Sequence, residues 1–180
     1  MKRISEGSPR FKARIAGVLS LLSLLAAVSG EFFFRRFEIA GDLIAVSGNI
    51  VVTLLLYGIF KPVNRGLSLL AASFNLVGLT CGALRWNPRG VDIPVVFDGF
   101  YCLLVGYLIF SSTFLPRVLG VLMAIGGLGW LTYMSPPLAN HLSPYNLASG
   151  ILGQESVMLW LLVMAVNEQR WEEQASPAVE

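Results

Sequence analysis

The sequence predicts an all-α polytopic membrane protein, a bundle of six transmembrane helices with both termini in the cytoplasm. Three observations predict it. Of 180 residues, 55% are hydrophobic and 13% charged, against about 25% charged in an ordinary soluble domain. The chain contains six apolar runs near the roughly 20 residues that a helix needs to cross a bilayer. The basic residues divide unevenly between the two sets of connections that these runs leave. Intrinsic disorder is excluded by the same composition, because disordered chains are poor in Leu, Ile, Val and Phe.

The runs are apolar all round, so length and flanking residues rather than periodicity delimit them. They cover residues 14–33, 40–60, 66–84, 94–114, 116–134 and 145–166. Polar or proline-bearing breaks separate them: Arg35-Arg36, the stretch from Lys61 to Arg65, the stretch from Arg85 to Arg89, and Ser135-Pro136-Pro137. Leu115-Pro116 is the shortest break, where proline ends one helix and opens the next. Gly126, Gly127 and Gly129 thin the fifth run and make it the weakest span. In domain terms, 1–13 is a basic cytoplasmic segment, 14–167 the transmembrane domain, and 168–180 a polar tail short enough to fray.

With the N-terminus inside, nine Lys and Arg residues fall on the cytoplasmic side and four (Arg35, Arg36, Arg85, Arg89) outside. That bias orients the chain. Trp86, Trp130 and Tyr133 then belong at the outer boundary and Trp171 at the inner one. A competing reading treats Ala27-Val28-Ser29 as the cleavage site of a secretory signal. The apolar character continues through Phe32-Phe33-Phe34, which favours a retained first helix. Gly120 with Ala124, Ser149 with Gly153, and Gly78 with Gly82 are small residues four apart, suited to close helix packing.

Several chemistries are excluded early. One histidine cannot build a His-rich zinc site or a bis-imidazole haem. Cys81 and Cys102 form no CxxC and read as small buried hydrophobes. Neither a P-loop nor a dinucleotide fingerprint is present, and a net charge of +2 argues for no nucleic-acid partner. No cofactor, metal site or catalytic residue is expected.

An ionisable side chain at mid-bilayer costs at least about 2.5 to 3.5 kcal/mol, so each needs a reason. Glu155 is the outstanding case, ten residues into the last run with Gln154 beside it. It is either an uncharged acid hydrogen-bonded to a neighbouring helix or a functional group. Asp42, Asn49 and Thr53 share one face of the second helix. Asp98, Tyr101 and Cys102 share one on the fourth, and Asn75, Gly78, Gly82 and Arg85 form a stripe on the third. Arg85 is the nearest cationic candidate partner for Asp98 or Asp42. Glu31, Asp42, Asn49, Arg85, Asp98, Tyr101 and Glu155 are therefore expected to line an outward polar cleft with Glu155 at its base. The bland alternatives are interhelical hydrogen bonds for Asn49, Thr53 and Asn75, and interfacial solvation or Arg pairing for Glu31, Asp42 and Asp98. His141 reads as a solvated loop residue.

Certain segments resemble a known family. They are Arg14-Ile-Ala-Gly-Val-Leu; Leu54-Leu-Leu-Tyr57 with Lys61-Pro62-Val-Asn64-Arg65; Cys102-Leu-Leu-Val-Gly106-Tyr107-Leu-Ile; Leu115-Pro116-Arg117-Val-Leu-Gly120; and Gly153-Gln154-Glu155 followed by Leu159-Trp160. In order and spacing, from Arg14 to Trp171, they resemble the bacterial membrane family catalogued as domain of unknown function 4386 (DUF4386). The resemblance implies a multi-span protein of the bacterial inner membrane, with no established activity to carry over. Many members resemble a His-Cys-Leu-Leu sequence where this chain has Tyr101-Cys102. Any chemistry of that histidine would here be lost or pass to the Tyr101 hydroxyl.

The expected function is non-enzymatic: binding, with or without transport, of a small amphiphile, lipid or ion in the cleft. Membrane lipids, and a membrane-protein partner or second copy of the chain, are the expected associates. One alternative is a structural or regulatory subunit that docks other helices on its small-residue faces. Another is a lipid-modifying enzyme using Asp98 or Glu155 as acid/base, for which no nucleophile–base pair is visible.

Overall fold

The computed structural model describes the backbone of residues 8–32, 38–86 and 88–176, and their side chains outside 26–42 and 89. Eight helices follow one another: α1 (Pro9–Phe32), α2 (Glu38–Phe60), α3 (Arg65–Ala83), α4 (Ile93–Ser111), α5 (Arg117–Leu131), α6 (Pro136–Leu142), α7 (Tyr145–Val163) and α8 (Glu168–Ala175). Among the described residues there is no strand. Among the described residues, five stretches are long and apolar enough to cross a membrane: Leu43–Phe60, Arg65–Ala83, Ile93–Ser111, Arg117–Met134 and Tyr145–Val163. Six such stretches were expected from the sequence; the sixth would be α1, a 24-residue helix whose last side chains lie outside the described residues.

Local chemistry sets the helix ends. Asn64 caps α3 by accepting a hydrogen bond from the Leu67 amide at 3.0 Å. Pro94 occupies the first turn of α4, where its missing N–H costs nothing. α3 stops when Arg85 turns to φ 51°, with Trp86 N–H reaching back to Cys81 O at 3.0 Å. α7 stops likewise at Ala165, φ 57°. The connection after the fifth run carries a helical turn, α6, and His141 is exposed on it.

The six long helices form a closed ring in the order α1, α2, α3, α4, α5, α7, each packed on two neighbours. Outward faces are apolar: Leu54, Leu69, Phe110, Ile125, Leu152 and Leu159 are exposed, as lipid-facing residues of a spanning bundle must be. Inside, one end of the ring is solid. Leu56, Ile59, Leu108, Ile109, Met123, Val157 and Leu161 are almost wholly buried there, and the Phe60 and Phe114 rings stack at 6.1 Å. This end is called the base; the opposite end, near residues 84–92 and 132–144, is called the rim.

The polar tail is ordered through Ala175 as α8, which lies across the base. Asn167 caps it, Trp171 Nε1 donates to Ile59 O at 2.9 Å, and Thr113 N donates to Gln174 Oε1 at 3.1 Å. A carbonyl in the last turn of α2, without an intrahelical partner, is thereby satisfied.

The glycines that thin the fifth run are what seat it. α5 has two bare faces. A Cβ on Gly120 would come 2.6 Å from Gly106 O, and one on Gly127 would come 2.8 Å from Gly99 O, both on α4. On the other side, Gly126 meets Ser149 O and Gly150 O, and Gly153 meets Leu122 O. Backbone therefore packs on backbone, the arrangement that substitutes for hydrophobic driving force within lipid. Gly78 and Gly82 pack in the same way on Phe97 and Pro94 of α4. Trp130, expected at the outer boundary, is only 9% exposed because Gly150 leaves room for its indole.

These contacts distinguish two glycine substitutions. Gly120→Ala forces α4 and α5 apart and is expected to cost about 1–3 kcal/mol. Gly58→Ala meets nothing within 4 Å and is expected to be neutral or stabilising by roughly 0.5–1 kcal/mol through helix propensity. Thermal unfolding in the same lipid nanodisc checks both.

Candidate functional site

Between the solid base and the rim, the ring encloses a cavity of about 420 Å³. Every helix of the ring contributes to its wall: Ser20 and Ser23 from α1, Asn49 from α2, Asn75 from α3, Asp98 and Tyr101 from α4, Met123 and Trp130 from α5, Gln154 and Glu155 from α7. The rest of the wall is largely apolar, including Leu24, Val46, Val52, Leu79 and Met158. This mixture, a mostly apolar lining with a few convergent polar groups, is that of a small-molecule site.

Two hydrogen-bonded groups shape it. On the first, Thr53 Oγ1 donates to Asn49 O at 2.7 Å and Asn75 Nδ2 donates to Thr53 Oγ1 at 2.9 Å. Asn75 thereby joins α3 to α2 at mid-depth. Ser68 Oγ donates to Tyr57 O at 3.1 Å nearer the base. The cavity lies on the rim side of these two links.

On the second, Gln154 Nε2 of α7 donates to Asp98 Oδ2 of α4 at 2.6 Å and approaches Cys102 Sγ at 3.4 Å. The bond passes over α5, and its neighbours explain how. Gly99 follows Asp98 and packs on Gly127; Gly153 precedes Gln154 and packs on Gly126. With no side chains on α5 at this level, α4 and α7 come close enough for a direct link. Cys102 Sγ donates to Asp98 Oδ2 at 4.0 Å, the long end of a thiol hydrogen bond.

The expected site residues divide as follows. Asn49, Asp98, Tyr101 and Glu155 line the cavity. Asn49 turns its amide back to Ala45 O at 3.0 Å. Glu155 is partly buried and has no hydrogen-bond or ion-pair partner among the described residues. Arg85 is exposed and outside the lining: the stripe through Asn75, Gly78 and Gly82 breaks off where α3 ends and the chain takes its left-handed turn. The side chains of Glu31 and Asp42 lie outside the described residues. Gln154, Asn75, Cys102 and Trp130 join the site without having been singled out for it. Gln154 was legible only as the neighbour of Glu155, and nothing in an all-apolar helix said which of the two faced α4.

Asn146 braces the rim. Its Nδ2 donates to Thr132 Oγ1 and to Ala139 O, both at 3.1 Å, and the residue is 4% exposed.

Removing the donor from the Asp98 link should be costly. Gln154→Leu leaves a carboxylate oxygen unpaired and is expected to destabilise by about 1–3 kcal/mol. Ser73→Ala, whose hydroxyl bonds only its own helix on the exposed face, should change stability by no more than about 0.5 kcal/mol. Unfolding of both variants by heat in nanodiscs makes the comparison.

Residues 82–165 match the family model described as a domain of unknown function, DUF4386. An uncharacterized protein of Archaeoglobus fulgidus, an archaeon, is 25% identical over 138 residues, covering 71% of this chain and 83% of the relative. No solved structure matches the chain. The matched stretch, residues 82–165, holds both halves of the Asp98–Gln154 link.

Proposed function

We propose that this chain is a six-span protein of the inner membrane, with both termini in the cytoplasm, that binds a small amphiphile, lipid or ion in its cavity. The cavity carries this reading. Within a bilayer, polar side chains not used to join helices are expensive, and here Glu155 faces a 420 Å³ space with no protein partner among the described residues. Support for α1 as a retained span comes from the ring: α1 closes it between α2 and α7 and supplies Ser20, Ser23 and Leu24 to the wall. Support for the orientation comes from the basic residues gathered at the base, Arg10, Lys12, Arg14, Lys61, Arg65, Arg117 and Arg170. On that orientation the cavity lies towards the outside.

The docking reading has less behind it. The three small-residue faces that would receive another helix are all occupied within the bundle, against α4 or α5. A catalytic reading has only the long Cys102 Sγ–Asp98 Oδ2 contact of 4.0 Å to stand on among the described residues.

Native mass spectrometry of protein purified in mild detergent is expected to show a non-protein mass retained on the chain. Val46→Trp, which fills the cavity from α2, should shed that mass without unfolding the bundle. A wild-type protein that flies bare and whose stability no lipid or metabolite alters would defeat the binding reading. For orientation, His141→Cys is expected to react with a membrane-impermeant maleimide on intact cells, and Glu173→Cys only after permeabilisation.

A further inference from the structure

The chemistry of the wall narrows the ligand, given the binding reading above. Among the described residues, the cavity is lined by two carboxylates, Asp98 and Glu155, and by no Lys, Arg or His. Gln154 occupies one oxygen of Asp98, Oδ2; Oδ1 accepts no hydrogen bond from the described residues, and neither oxygen of Glu155 does. Of the lining amides, Asn75 gives an N–H to Thr53 and Asn49 gives its own to Ala45, while the Ser20, Ser23 and Tyr101 hydroxyls also line the wall. Among the described lining residues, no positive charge faces the two carboxylates.

A bare metal ion does not meet that need. No three His, Cys, Asp or Glu side chains converge as a metal centre would require, among the described residues. The space is also far larger than one ion, and Leu24, Val46, Val52 and Met158 give it an apolar body. Trp130 lines the same cavity and gives its wall an aromatic surface, and an organic cation is the class of ligand that an aromatic surface and carboxylate oxygens can both receive.

We infer that the cavity takes a small organic ammonium, its charged nitrogen on Asp98 and Glu155 and its hydrocarbon body against the Met and aliphatic wall. A desolvated ammonium–carboxylate contact is stronger than its neutral counterpart. Ligands of one shape and different charge should therefore be ranked by charge.

The test uses the full chain in phosphatidylcholine nanodiscs, with empty nanodiscs as the blank and calorimetric titration at pH 7. The probes are 2-phenylethylamine, 2-phenylethanol and phenylacetate, near-isosteres that are cationic, neutral and anionic. The amine is expected to bind about tenfold or more tighter than either isostere. Asp98→Asn and Glu155→Gln should each erode that preference, lowering affinity for the amine by more than affinity for the alcohol. Glu155→Gln removes no hydrogen bond among the described residues, so it reports on charge even if Asp98→Asn fails to fold. Equal binding of the three probes, or tightest binding of phenylacetate, overturns the ammonium inference and leaves the cavity a binding site. Heats indistinguishable from the blank for all three overturn the inference and count against the binding reading as well.

Discussion

The seat of α5 between α4 and α7 governs the rest of the molecule. Helix axes normally stand 8–10 Å apart according to the side chains between them, and α5 has none at Gly126 and Gly127. Gly99 and Gly153 meet it from either side. The two flanking helices therefore approach across it, and Asp98 and Gln154, each one residue from a contacting glycine, join at 2.6 Å. Without that approach the carboxylate would stand alone in an apolar surround, where an unpaired charge is among the most destabilising features a bundle can hold.

Tight packing on one side of the ring has its counterpart in loose packing on the other. α2 and α3 are joined by a short turn and linked by Ser68 to Tyr57 and by Asn75 to Thr53, and among the described residues no further side-chain hydrogen bond joins them nearer the rim. The cavity is the consequence. It is closed below by Leu56, Phe60, Leu108 and Met123 packed to exclude water, and α8 covers the base from outside through Trp171. The molecule is a cup: rigid where glycine and aliphatic side chains interlock, hollow where polar side chains hold the helices at a distance.

Which residues were readable in advance follows from the same physics. Glu155 stood out because a carboxyl at mid-span is improbable wherever it points, a property of position along the chain alone. The Asp98–Gln154 link did not stand out, since it depends on two helices far apart in sequence turning the correct faces to each other. The burial of Trp130 at the rim end of α5 was not readable for a related reason: aromatic residues near a span end normally anchor at the headgroups, and the bare backbone of Gly150 opposite it makes a buried position available. Arg85 followed helical spacing up to the last turn of α3 and left it where the backbone becomes left-handed at φ 51°.

The sequence by itself determined that the chain is helical and apolar enough for a membrane, where the helices break, and which polar residues require explanation. Those properties depend on composition, length and proline or basic flanks, which are local. The tertiary structure decided the facing of each helix, the closure of the ring, and the meeting of Asp98 with Gln154 and of Asn75 with Thr53. A helix apolar on all sides has no hydrophobic stripe to orient it. Its rotation is set only by where glycines let backbones touch and where polar side chains find partners, and those are properties of the assembled bundle.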